Sequence, residues 1–156
     1  MRKEKTVDFH IKWAWHAISR MYNTYASRRY GMTMAIGYVL LNIDTETGTP
    51  ATKIGPSIGM EPRSLTRTLK TLEEKGWIRR EIDENDKRFV KVFLTEEGRI
   101  KRDMAREGVI SFNTMLREQI PLEKLVIFFE VIKEINRLVD EENNKIKAEP
   151  QIQEEF

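Results

Sequence analysis

EPRSLTRTLKTLEEKGWIRREIDENDKRFVKVFLTEEG, residues 61–98, decides the fold. Leu65, Leu69 and Leu72 recur at i, i+4 and i+7, so the stretch opening at Pro62 reads as an amphipathic helix with one apolar stripe. Arg63, Arg67 and Lys70 repeat the same spacing on a different side, leaving one face to pack and one cationic face outside. Pro62 suits the first helical position, where its missing N–H has no partner to lose, and Gly76 suits a left-handed stop. The helix is thus about 14 residues, or roughly 20 Å, long. Beyond Gly76 the period changes to two. Val90, Val92 and Leu94 share one strand face and Phe89, Lys91 and Phe93 the other, with Trp77 to Ile82 as the antiparallel partner. The connection DENDKR is rich in turn formers, which puts Lys87 and Arg88 at the hairpin tip.

Upstream, residues 50–59 read as a short helix followed by a turn at Gly59, Met60 and Glu61, and helix, tight turn, longer helix is the helix-turn-helix pattern. Leu65-Thr66-Arg67, Leu72-Glu73-Glu74-Lys75-Gly76-Trp77-Ile78, Asp86-Lys87-Arg88 and Leu94-Thr95-Glu96-Glu97-Gly98 together resemble the winged-helix core of the MarR family of bacterial transcription regulators. The resemblance implies a mainly α fold with a small antiparallel β-hairpin: a winged helix-turn-helix at about 33–98, flanked by N- and C-terminal dimerisation helices at about 6–29 and 95–146. One domain would span 1–146, with 147–156 a disordered acidic tail. One departure stands out. Pro56 falls where the first helix of the motif continues in the family, and an interior proline costs roughly 3 kcal/mol unless the backbone kinks. A broken or late-starting helix is expected there.

The resemblance implies double-stranded DNA as partner and a role as a sequence-specific regulator, a repressor, working as a homodimer on a pseudo-palindromic operator. Half-sites would lie about one helical turn, roughly 34 Å, apart. Pro62, Arg63, Ser64, Thr66 and Arg67 occupy the start of the recognition helix, where base edges and phosphates come within reach in the major groove; Lys70 stands a turn later. Arg88 is the candidate for minor-groove insertion, with Lys87 beside it and Asp86 holding the guanidinium, as the family's D-x-R pattern implies. The plainer readings are a solvated helix face for the arginines and a surface salt bridge for Asp86 and Arg88, worth about 0–1 kcal/mol. Arg79 and Arg80 alternate along a strand, so phosphate contact and simple solvation weigh equally. Ser57 reads as structural.

Around this core, Thr6 to Arg29 reads as a first helix capped by Thr6 and stopped at Gly31, and Thr33 to Ile43 as a second. Thr95 can cap a helix to about Gln119, with Glu96 and Glu97 complementing its positive end. Pro121 opens a last helix to about Ile146, roughly 39 Å long. Leu125, Phe129, Ile132 and Val139 form one stripe on it, and Phe128, Val131, Ile135 and Leu138 a second beside it. That arc is too broad for one neighbour, and each buried Leu, Ile or Phe is worth roughly 1.5–3 kcal/mol, so a partner copy is expected to cover it.

Charged residues make up 33% of the 156 and the net charge is only +2, yet residues 1–31 are basic and residues 138–156 acidic, so local fields matter more than the sum. With no cysteine there is neither a disulfide nor a thiolate metal site, and a reducing cytoplasm is the expected location. No apolar run approaches the roughly 18 residues of a membrane span. His10 and His16 do not share a helical face, and neither a phosphate loop nor a nucleophile elbow is visible, so no metal, no cofactor and no enzyme activity is expected. Family members bind small aromatic or anionic effectors between the dimerisation helices and the winged domain; Trp13, Trp15, His16, Tyr22 and Tyr38 could line such a pocket, or serve as ordinary core. The alternative function is a winged-helix module for protein assembly without DNA contact, against which the outward cations argue.

Overall fold

A computed structural model describes residues 6–82, 87 and 89–149. Among the described residues six helices run in the order α1 Val7–Tyr30, α2 Met34–Leu41, α3 Ala51–Ile58, α4 Pro62–Glu74, α5 Glu96–Gln119 and α6 Leu122–Ala148, with β1 Thr49–Pro50, β2 Ile78–Ile82 and β3 Val90–Leu94 between them. The chain divides into two compact units, the first ending at Ser111 and the second beginning at Phe112.

The first unit holds the core. Val39, Leu40 and Ile43 from α2 and its end meet Ile54 of α3, Leu65, Leu69 and Leu72 of α4, and Trp77, Ile78, Val92 and Leu94 of the sheet, all buried. The apolar stripe of α4 therefore packs as its spacing requires. Thr6 precedes α1 at the N-cap position but makes no side-chain cap hydrogen bond, whereas other helix ends are closed as the sequence suggests. Thr33 accepts from the Ile36 amide at 3.3 Å, Gly31 closes α1 in the left-handed region, and Gly76 follows α4 with φ +70°.

The sheet is larger than the expected hairpin. β2 and β3 pair antiparallel, Ile78 opposite Leu94 through to Ile82 opposite Val90, and β1 adds a third, two-residue strand on the far edge of β3, Thr49 opposite Val92. Val92 and Leu94 are buried as their face demands, whereas Val90, nearest the hairpin tip, is exposed.

α3 departs from expectation. It is continuous from Ala51 to Ile58 with Pro56 inside it, neither broken nor late. The residue before a proline is normally driven out of the helical region by a clash that involves its own Cβ; here that residue is Gly55, which has none. The helix ends two residues after Pro56, at Ile58, with Gly59 at φ +63° as its cap, and the proline forfeits a single bond, that of its missing N–H to the Thr52 carbonyl. Gly55 is buried, and a Cβ there would lie 3.1 Å from the Met60 carbonyl oxygen and 3.2 Å from Leu65 Cδ2, so the same glycine lets α3 and α4 pack closely.

In the second unit α6 runs two residues beyond the expected end, to Ala148; the remainder of the expected tail, 150–156, lies outside the described residues. None of its residues is buried. Leu125, Ile132 and Ile135 are half-covered, while Phe128 and Phe129 are 53% and 54% exposed and Val131, Leu138 and Val139 are similarly open. Its polar side carries Arg137 between Glu134 and Glu141, paired to both.

Candidate nucleic-acid interface

α4 is presented by the turn that precedes it. Gly59 takes a left-handed conformation, the Met60 amide donates to the Gly55 carbonyl at 3.0 Å, and Pro62 opens the helix. Burying Leu65, Leu69 and Leu72 on one side turns Arg63, Ser64, Thr66, Arg67 and Lys70 outward; all five are exposed, as is Pro62. Among the described residues Arg63 and Arg67 have no carboxylate partner, whereas Lys70 lies 3.8 Å from Glu74. The threonine hydroxyls donate back along the helix, Thr66 to the Pro62 carbonyl at 2.9 Å and Thr71 to that of Arg67 at 3.1 Å, so they meet a ligand as acceptors.

The wing is less uniformly cationic. Arg79 pairs with Glu81 at 2.7 Å and stacks over the Phe93 ring at 4.6 Å, and Arg80 reaches across to Glu73 on α4 at 2.9 Å. Both arginines are thus part of the hairpin's own bracing, which neither reading of the strand alternation anticipated. Lys87 is exposed at the tip, while Asp86 and Arg88 lie outside the described residues. Ser57 is structural, donating to the Ile54 carbonyl at 2.7 Å and facing the Asn42 side-chain oxygen at 3.2 Å.

The base of the wing is tied to α5. Thr95 Oγ1 donates to the Gly76 carbonyl at 2.7 Å and accepts from the Gly98 amide at 3.1 Å, closing the first turn of α5 against the end of α4. Trp77 is buried, donates its indole N–H to Glu97 at 3.0 Å, and carries the Lys75 and Lys101 ammonium groups at 5.2 Å from its ring. These contacts account for the Thr-Glu-Glu-Gly run that the sequence shows after β3.

The five expected pocket residues do not converge on one cavity. Tyr22 and Tyr38 face each other edge-on at 6.4 Å and line an apolar cavity with Tyr25, Tyr30, Met32 and Met104; Trp15 stacks on Tyr38 from outside at 6.3 Å. Trp13 is 67% exposed, stacks on Phe9 and shares a separate surface groove with His16. Burial pushes the Tyr22 and Tyr38 phenols up, and the Tyr25 and Tyr30 hydroxyls meet at 3.2 Å. The free space is about 30 Å³, room for water but not for an aromatic molecule. Among the described residues no cluster of His, Cys, Asp or Glu is placed to hold a metal, and no helix is long and apolar enough to cross a membrane.

Residues 32–90 match the MarR family model. The HTH-type transcriptional regulator TtmR of Methylorubrum extorquens is 35% identical over 91 residues, covering 58% of this chain and 46% of TtmR. The chain spans less than two thirds of the length of the curated relatives it matches. A MarR/EmrR family transcriptional regulator from Acinetobacter sp. ADP1 superimposes over 90% of this chain and 99% of its own with a TM-score of 0.81 at 21% identity. MepR of Staphylococcus aureus, solved as a DNA complex, does so over 85% and 97% with a TM-score of 0.77 at 16% identity. At these identities the structures establish the fold, and the family match coincides with the helix-turn-helix and most of the wing. Residues 32–90 are thus similar to the MarR family and, like the MarR-family structures they superimpose on, fold as a winged helix-turn-helix.

Proposed function

We propose that the protein is a sequence-specific DNA-binding transcriptional regulator, a repressor, that grips a pseudo-palindromic operator as a homodimer. The observation that carries the reading is the outward face of α4, where Arg63 and Arg67 stand exposed and, among the described residues, without carboxylate partners, beside Pro62, Ser64, Thr66 and Lys70. An arginine there can make two parallel bonds to guanine or hold phosphates, and backbone contacts fix the register. MepR, of like fold, binds DNA in its crystal. Selection of bound duplexes from a random pool tests this directly, with enrichment of a twofold-symmetric site expected. Recovery of no sequence, together with no retardation of any duplex, overturns it. Binding is expected to weaken steeply with salt as counterions are released.

Lys87 and Arg88 complete the surface on this reading, inserting the wing into the minor groove with Asp86 orienting the arginine. Arg88→Ala is expected to weaken operator binding tenfold or more, on the order of 1.4 kcal/mol. Unchanged affinity in a titration would remove the wing from the interface.

The homodimer is supported by the open apolar face of α6, far larger than a solvated helix tolerates; α1, α5 and α6 of two copies would bury it, so that 1–146 works as one domain within a pair. Sedimentation should give twice the chain mass, and Phe128→Glu with Phe129→Glu should give the monomer. An effector, small and aromatic or anionic, would enter the Tyr22–Tyr38 cavity by displacing flexible Met32 and Met104, favouring a helix spacing that no longer fits the operator. Trp13 and His16 would not touch it. Phenolic compounds that changed neither thermal stability nor DNA affinity would exclude this part.

A further inference from the structure

We infer that Arg99 is a positioning residue that clamps the wing at the β1 edge of its sheet; the DNA readout of this inference rests on the function proposed above. Arg99 lies in the first turns of α5, half-exposed. Its Nη2 donates to the Thr45 carbonyl, and its Nη1 lies 3.7 Å from the Glu46 carboxylate, so one guanidinium holds the loop between α2 and β1 at two points.

That loop is stiff in itself. The Asp44 carboxylate accepts from the Thr47 amide at 2.7 Å, the Glu46 amide at 2.9 Å and the Thr47 hydroxyl at 3.0 Å, and the Asp44 amide donates to Thr49 Oγ1 at 2.8 Å. These donors hold the Asp44 carboxyl below its ordinary range, the bonds from the Thr47 and Glu46 amides first.

The loop bears directly on the wing. Gly48, at φ +67°, presses on Phe93 so closely that a Cβ would stand 2.6 Å from the ring, and Thr49 pairs with Val92 as the third strand. Phe93 in turn carries the Arg79 guanidinium on its ring. A continuous run of contacts therefore leads from Arg99 through Thr45, Glu46 and Gly48 to β3, the strand that leads out of the wing tip. A free three-stranded ribbon this small twists and frays readily; fixing its far edge to α5 fixes the direction in which the tip points.

The test compares Arg99→Ala and Arg99→Lys with the full-length wild type, measuring duplex affinity, thermal midpoint and hydrogen exchange of the Lys91–Phe93 amides. Arg99→Ala is expected to weaken operator binding about fivefold and to speed β3 exchange at least tenfold, with the buried α4 amides unchanged. Arg99→Lys keeps the charge but cannot span both partners, and is expected to stay at least threefold weakened. Full affinity in Arg99→Lys would show that the residue acts as a charge on the DNA, not as a clamp. Affinity within twofold of wild type for Arg99→Ala, unaltered β3 exchange, or equal acceleration in α4 would each overturn the inference. Should the wild type bind no duplex, the functional reading falls while the exchange comparison still decides whether the clamp exists.

Discussion

Gly98→Ala is expected to destabilise the fold by about 3 kcal/mol or more, although it places the best helix former inside a helix. Gly98 sits in the first turn of α5, and a Cβ built on it would stand 1.8 Å from the Trp77 carbonyl oxygen and 2.9 Å from the carbonyl carbon. Backbone, unlike the far end of a side chain, has little freedom to retreat. The Trp77 carbonyl accepts from the Thr95 amide at 3.1 Å, and the Trp77 side chain is buried and held by Glu97. Relief would have to pull α5 away from the junction of α4 and β2, breaking the Thr95 contacts with Gly76 and Gly98. At roughly 2–4 °C per kcal/mol for a chain of this size, the thermal midpoint should fall on the order of 10 °C. Gly37→Ala is the natural control. It is also buried and helical, but its nearest neighbour would be Ala105 Cβ at an ordinary 3.5 Å, so gains of about 0.5 kcal/mol are expected from the restricted unfolded chain. A Gly98→Ala protein melting with the wild type would show that the junction gives way more easily than its hydrogen bonds imply.

What could be read in advance follows the range of the interactions. The stripe of α4, the strands of the wing and the stops at Gly31 and Gly76 are set within a few residues, and periodicity exposes them. Thr49 and Pro50 form a strand only because β3 lies beside them, and Pro50 by its own chemistry reads as a helix start, so β1 was invisible. The continuity of α3 depends on Gly55 preceding Pro56, a pairing whose meaning appears only once the missing Cβ is weighed against the proline ring. Arg79 and Arg80 alternate as strand residues must, but their partners come from Phe93, Glu81 and Glu73, across strands and from another helix. The aromatic residues of α1 were separable in principle. Trp13 and Tyr22 are nine positions apart, about 180° around a helix, so they could not share a wall, whereas Trp15 and Tyr22 nearly coincide. Tyr38 then joins the pair that shares a face, and Trp13 points away.

Arg63→Ala combined with Arg67→Ala is expected to reduce affinity for the selected operator about a hundredfold or more while leaving the fold intact. Both side chains are exposed and neither supports an ion pair among the described residues, so truncation removes no contact that the described fold uses. The thermal midpoint should therefore stay close to that of the wild type. Each arginine that reads a base or holds a phosphate contributes roughly 1–3 kcal/mol, and tenfold in Kd corresponds to about 1.4 kcal/mol. In a twofold dimer every substitution is felt at both half-sites, so the double variant loses four contacts per operator. The loss should also depend on sequence. If Arg67 reads a guanine edge, the variant should discriminate less against operators altered at that base pair; if both arginines hold only phosphates, specific and random duplexes should weaken together and the salt dependence should flatten. By contrast, Lys70→Ala should matter less, because Lys70 stands a turn beyond the start of α4 and lies 3.8 Å from the Glu74 carboxylate. Equal affinity of the double variant and the wild type for the selected site would place the DNA elsewhere on the protein and would sink the recognition-helix reading as a whole.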